Sequence, residues 1–175
     1  MKILSIIAMV LLFAVFTVHL MAQKIGYVDM QEIIGSMPEK TKSDSTLMAY
    51  RRAIYAQVQQ MDSTYQQDVA EFVQDSGSLD EMKRDVVRQK LLDQQRRLVD
   101  FQRTVGQRIA KKQAALRKPL IEKAKSAMNT VAKTKGFPYI VNDFYYPDGT
   151  PFVLIKPESA DLTKAVKAQL GIIGQ

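Results

Sequence analysis

The sequence predicts an α+β fold: a long antiparallel helical hairpin, a coiled-coil tentacle, joined to a small β-rich body. Three observations predict it. From Glu39 to Lys133 the chain holds only two glycines, Gly77 and Gly106, and one proline, Pro119, so little there stops a helix. Gly77 sits in Asp75-Ser76-Gly77-Ser78, the one cluster of turn formers in the stretch. On both sides the apolar pattern gives way to short β-branched and aromatic runs. A helix rises ~1.5 Å per residue, so arms of this length reach about 50 Å or more. A hairpin of that size with little globular body suits reaching, clamping or assembly.

The first element is a leader. Lys2 precedes an apolar run, Ile3 to Met21, broken only by Ser5, Thr17 and His19, and Ala22-Gln23 then opens a polar chain. This is the pattern of a secretory signal peptide over residues 1–22, cleaved near Ala22. An uncleaved single-span anchor is the alternative. No cysteine follows the run, which excludes a lipid-anchored form. Cleavage removes Lys2 and the only histidine and leaves a net charge of +6. The mature chain then has no His, Cys or Trp, so it lacks the commonest general base, the thiolate nucleophile and the usual zinc ligands. Asp143 and Asp148 read better as strand-end and turn residues than as metal ligands. An enzyme is not expected, nor a cofactor, a metal or a catalytic site.

The body is expected from residues 23–38 and 117–175. Lys24 to Met30 reads as a strand, and Gln31 to Ser36 as one helical turn ended by Gly35 and Pro38, with Ser36 as the cap of the first long helix. Phe137 to Val141 reads as a second strand. Phe144-Tyr145-Tyr146, Pro147-Asp148-Gly149-Thr150 and Pro151 to Ile155 read as strand, turn and strand. A last helix, about Ala160 to Leu170, is stopped by Gly171. Three strands and a short helix bury little, so oligomerisation should supply the rest, with Ile25, Tyr27, Val28, Tyr139, Val141 and Leu162 as candidate contacts.

The hairpin is expected over 39–116, with its tip near 75–79. In the first arm Leu47, Tyr50, Ile54, Val58, Met61, Tyr65, Val69 and Phe72 follow steps of three and four, a narrow stripe for one partner helix. In the second arm, about Leu79 to Lys133, the stripe runs through Leu79, Met82, Val86, Leu91, Leu98, Val105, Ile109, Leu116, Leu120, Ala124, Met128 and Val131, diluted by Gln and Arg near 94–97 and 111–113. So dilute a seam should leave the arm flexible. Pro119 is expected to bend the returning helix into the body.

Charge divides the arms. Residues 39–82 carry four basic and eight acidic side chains, net −4, while 83–125 carry fourteen basic and four acidic, net +10. The surplus is either a solvated helix face or an attractor for acidic proteins and acidic lipid head groups. Nucleic acid is the weakest partner, since export is expected and no nucleic-acid motif is present.

The order of parts resembles the Skp/OmpH family of periplasmic chaperones. The carriers are Lys24-Ile25-Gly26-Tyr27-Val28-Asp29-Met30, the hairpin, Tyr139-Ile140-Val141-Asn142-Asp143 and Ser159 to Val166. The Asp161-Leu162-Thr163 piece followed by Val166 is the most specific. The resemblance implies a periplasmic homotrimer that holds unfolded outer-membrane proteins between its helical arms without ATP. The Pro- and Tyr-rich stretch 145–157 departs from the family pattern. Client contacts cannot be carried over, so candidates come from the residues themselves. The apolar ones are Met48, Met61, Tyr65, Phe72, Leu79 and Met82, adaptable groups near the tip. The basic ones are Lys83, Arg84, Arg88, Arg96 and Arg97. Packing in the hairpin seam is the simpler role for each apolar one. The rival reading is a structural coiled-coil protein of the cell envelope with no client.

Overall fold

The computed structural model describes residues 24–172. The expected signal segment, 1–22, lies outside the described residues. Among those described, no helix is long and apolar enough to cross a membrane. The elements run β1 (Ile25–Val28), α1 (Met30–Gly35), α2 (Pro38–Asp75), α3 (Glu81–Lys135), β2 (Tyr139–Asn142), a 3-10 turn (Glu158–Ala160) and α4 (Thr163–Gln169). The chain divides into two compact units, one of the described residues up to Ile33 and from Ala124, the other Ile34–Lys123.

The first unit is built on a two-stranded parallel sheet, with Ile25 opposite Tyr139 and Val28 opposite Asn142. Parallel pairing needs a crossover, and here the crossover contains both long helices. Alternation along β1 buries Gly26 and Val28. Under them lies a core of Val28, Ile33, Ala124, Ala127, Val131, Leu162 and Val166. Polar groups at the end of β1 are met from three directions. Asp143 N–H donates to the Val28 carbonyl (2.8 Å) and Leu162 N–H to that of Tyr27 (2.9 Å). Asp29 N–H donates to Thr163 Oγ1 (3.0 Å), and Thr163 is itself buried. An unpaired buried amide would cost about 1–3 kcal/mol, so these contacts lock α4 and β2 onto β1.

The sheet has two strands, not three. Residues 144–155 form a turn whose flanks touch at one bridge, Tyr145 with Pro151. Tyr146 N–H donates to Thr150 O (2.8 Å) and Gly149 holds φ 85°, so the Asp-Gly turn is there. Pro147, Pro151 and Pro157 lack the N–H groups a ladder needs. Instead Phe144 stacks on Phe152 with ring centres 4.8 Å apart. The third contact to β1 comes from Asp161, in a parallel bridge with Tyr27.

In the second unit α2 has Pro38 in its first turn, where a missing N–H costs nothing. Its N-cap is Met37, without a side-chain cap, rather than the expected Ser36. The first-arm stripe is the buried face: Ile54 is buried and Leu47, Tyr50, Val58, Met61, Tyr65, Val69 and Phe72 are half-buried. α3 runs unbroken through the exposed Pro119, so the expected bend is not a helix end. The early part of its stripe also shifts. Met82 and Val86 are exposed, and Arg84, Val87, Leu91, Gln94 and Leu98 take the inner face. The cause is the seven-residue repeat: Arg84 and Val87 stand one heptad before Leu91 and Gln94, so the helix period carries them inward with Leu98, while Met82 and Val86 fall off that face. Asp80 Oδ1 accepts from Lys83 N–H (2.8 Å) and caps the helix that begins at Glu81.

Candidate functional site

Antiparallel pairing in this unit is fixed by contacts whose numbers run in opposite directions. The Lys123 ammonium pairs with Glu39, Lys112 lies over the Tyr50 ring, and Asp68 accepts from Gln94 (2.7 Å) and Lys90 (2.9 Å). Pairing redistributes the charge read along the sequence. Residues 62–98, nearest the turn, hold eight acidic and six basic side chains, net −2. The shaft, 39–61 with 99–121, holds three acidic and ten basic, net +7. An acidic arm beside a basic arm therefore folds into an acidic end and a basic shaft.

The inner stripes differ in period. In α2 the half-buried positions repeat every eleven residues, as in Leu47, Val58 and Val69. In α3 from Arg84 to Val105 they step three and four alternately, a seven-residue repeat. The two repeats favour opposite supercoil hands, so the faces drift apart and leave gaps. Two clefts result. One, of about 200 Å³, lies near the turn and is lined by Asp68, Glu71, Phe72, Asp75, Leu79, Val87, Lys90 and Leu91. The other, of about 580 Å³, lies on the shaft between Tyr50 and the α3 face of Thr104, Gln107, Arg108, Lys111, Lys112 and Ala115.

The predicted contacts divide between surface and seam. Met48 and Met82 are exposed, whereas Met61, Tyr65, Phe72, Leu79 and Arg84 are half-buried. Phe72 and Leu79 meet in one cleft. Lys83 is paired with Asp80, Arg88 with Asp85 and Arg96 with Asp93. Arg97 makes no ion pair among the described residues. The shaft cations Arg51, Arg52, Lys111, Lys112 and Arg117 are likewise without an ion pair, and single-residue reading missed them. The signal that finds them is register: Lys111, Lys112 and Arg117 pair with a first-arm stretch, 39–61, that contains Arg51 and Arg52 and only two acids, Glu39 and Asp44.

In the first unit Ile25 and Tyr139 are neighbours across the sheet and both are exposed. Tyr27 and Val141 are half-buried, while Val28 and Leu162 lie in the core. Phe144, Tyr145, Tyr146, Phe152, Leu154 and Ile155 add exposed apolar surface that the sequence candidates omitted.

Two carboxylates that tie the arms together and one that caps α3 predict an acid response. The hydrogen bond from Lys123 lowers Glu39, that from Lys90 lowers Asp68, and the Lys83 backbone N–H lowers Asp80. A carboxylate lowered on folding stabilises above its unfolded pKa and loses that contribution as pH falls through the folded one. Helical content at fixed temperature should therefore hold from pH 7 to about 5 and decline below about pH 4. A flat circular dichroism profile down to pH 2 would show that these ties carry no weight.

A family model described as outer membrane protein (OmpH-like) matches residues 24–170. No curated protein matches the chain.

Proposed function

The chain belongs to the OmpH-like outer membrane protein family, and from that premise we propose that it is an ATP-independent periplasmic holdase for unfolded outer-membrane proteins. The family's members are periplasmic chaperones of such proteins rather than enzymes. The observation that carries the finer reading is the hairpin seam. Arg84, Gln94 and Thr104 occupy inner positions of α3 where a stiff stalk would place Leu or Ile. A seam so polar buries little apolar area, so local opening is easy and the arm can mould to a chain with no fixed shape. The same seam argues against a rigid structural spacer.

Three copies, joined through the exposed Ile25–Tyr139 face and the aromatic 144–155 segment, would set three arms around one space. Each weak contact then raises the local concentration for the next. Basic shafts draw in acidic clients, and the same surface accounts for attraction to acidic lipid head groups.

One experiment tests both parts. The mature protein, first sized by sedimentation, is mixed with an outer-membrane barrel protein diluted from urea, and light scattering is followed without nucleotide. The expected result is a trimer that suppresses scattering at a molar excess. A monomer at micromolar concentration removes the assembly, and unchanged scattering removes the holdase.

A further inference from the structure

We propose that the cleft beside the turn of the hairpin binds cationic–apolar segments of the unfolded client, a specificity opposite to that of the shaft. This rests on the holdase reading above and adds to it a second site with its own chemistry. The floor is apolar: Phe72 from α2, Leu79 from the turn, and Val87 and Leu91 from α3. Its volume, about 200 Å³, takes one large aliphatic or aromatic side chain. The rim is acidic, and two of its carboxylates are unanswered: Glu71 and Asp75 make no ion pair among the described residues.

Two further facts point to a cation. Asp75 lies in the last turn of α2, where the helix dipole is already negative, and no basic residue stands in that turn. Acids there are unfavourable until a positive charge arrives, so a Lys or Arg from outside relieves both Asp75 and the helix end. The chain also shows the chemistry from within. Lys90 lines the cleft and sets its ammonium 2.9 Å from Asp68, which is what an incoming lysine would do at Glu71 or Asp75. A basic segment is repelled by the shaft, net +7, and accepted near the turn, net −2. One arm can thus hold both the acidic and the basic stretches of a single client.

The test uses the full mature protein and two labelled short peptides, one alternating Lys and Leu, the other Glu and Leu, read by fluorescence anisotropy at low salt. The Lys–Leu peptide should bind, and its affinity should fall about fivefold in the double variant Glu71→Gln, Asp75→Asn, as two exposed ion pairs allow. Leu79→Ser, which leaves every charge in place, should weaken the same peptide, while the Glu–Leu peptide should be insensitive to all three changes. Unchanged Lys–Leu affinity in both variants overturns the proposal. So does a double variant that changes sedimentation but not peptide affinity, which would assign the cleft to a second copy of the chain. Aggregation suppression by the unaltered protein reports separately on the holdase reading, so the two can fail independently.

Discussion

Replacing Gly26 with alanine is expected to lower the thermal midpoint of the β-rich unit by about 10 °C, from a loss of roughly 2 kcal/mol. A Cβ there would sit 2.6 Å from Leu162 Cδ1, 3.2 Å from its Cγ and 3.1 Å from Phe137 Cδ1. A free leucine tip would rotate away at little cost. Leu162 cannot, because it is only 2% exposed and belongs to the same core as Val28 and Val166. Displacing it also strains its N–H bond to Tyr27 O (2.9 Å), the contact that brings Asp161 against β1. Small cores have no reserve to absorb this. Gly106→Ala is the matched control with the opposite sign. It is exposed in mid-helix, nothing lies within 4 Å of its added Cβ, and alanine there should stabilise by about 0.5–1 kcal/mol. Hydrogen exchange at β1 amides separates the two effects. A Gly26→Ala protein protected like the parent would mean that the core is looser than its packing indicates.

The same glycine shows where the sequence is readable and where it is not. As a letter, Gly26 sits in a run of strand formers and looks like a weakness. Its necessity comes from Leu162 and Phe137, more than a hundred residues away, and no local pattern reports that. Local signals did well where one interaction type decides. The steps of three and four in the first arm gave its inner face, and the breaker-poor stretch around Gly77 gave two long helices. They failed where two stripes compete. Met82 and Val86 fit an apolar stripe as well as Val87 does, but Val87 shares the seven-residue repeat of Leu91, Gln94 and Leu98, and that repeat faces inward. Aromatic and β-branched content favours a third strand over 144–155, but Pro147 and Pro151 outweigh that preference. Pro119 lies inside a helix that continues on both sides of it, and the site is exposed, so water can reach the carbonyl that its missing N–H frees. Charge was legible in total but not in arrangement, because pairing the arms converts a contrast between helices into a gradient along them.

That gradient sets the second large effect. Reversing Arg51, Lys111, Lys112 and Arg117 to glutamate is expected to slow capture of an acidic unfolded barrel protein by about tenfold or more at low salt. None of these four has an ion pair among the described residues, and Arg51, Lys111 and Arg117 are exposed while Lys112 lies over the Tyr50 ring, so no carboxylate answers their charge. The comparison is with Arg84, Arg88, Arg96 and Arg97, four of the five cations, Lys83 being the fifth, that the sequence alone nominates. Arg88 lies 2.7 Å from Asp85, Arg96 lies 3.1 Å from Asp93, and Arg84 donates to the Leu79 carbonyl (3.1 Å), so much of that charge is already answered locally. Reversing those four should slow capture less than reversing the shaft set, although the change in formal charge is the same. Long-range attraction is screened over about 8–10 Å near physiological ionic strength, so both effects should shrink toward nothing in strong salt. Stopped-flow association rates across a salt series, with circular dichroism to show that both variants remain helical, separate the cases. Equal slowing by the two sets would mean that only net charge matters and that the gradient along the arm has no role in capture.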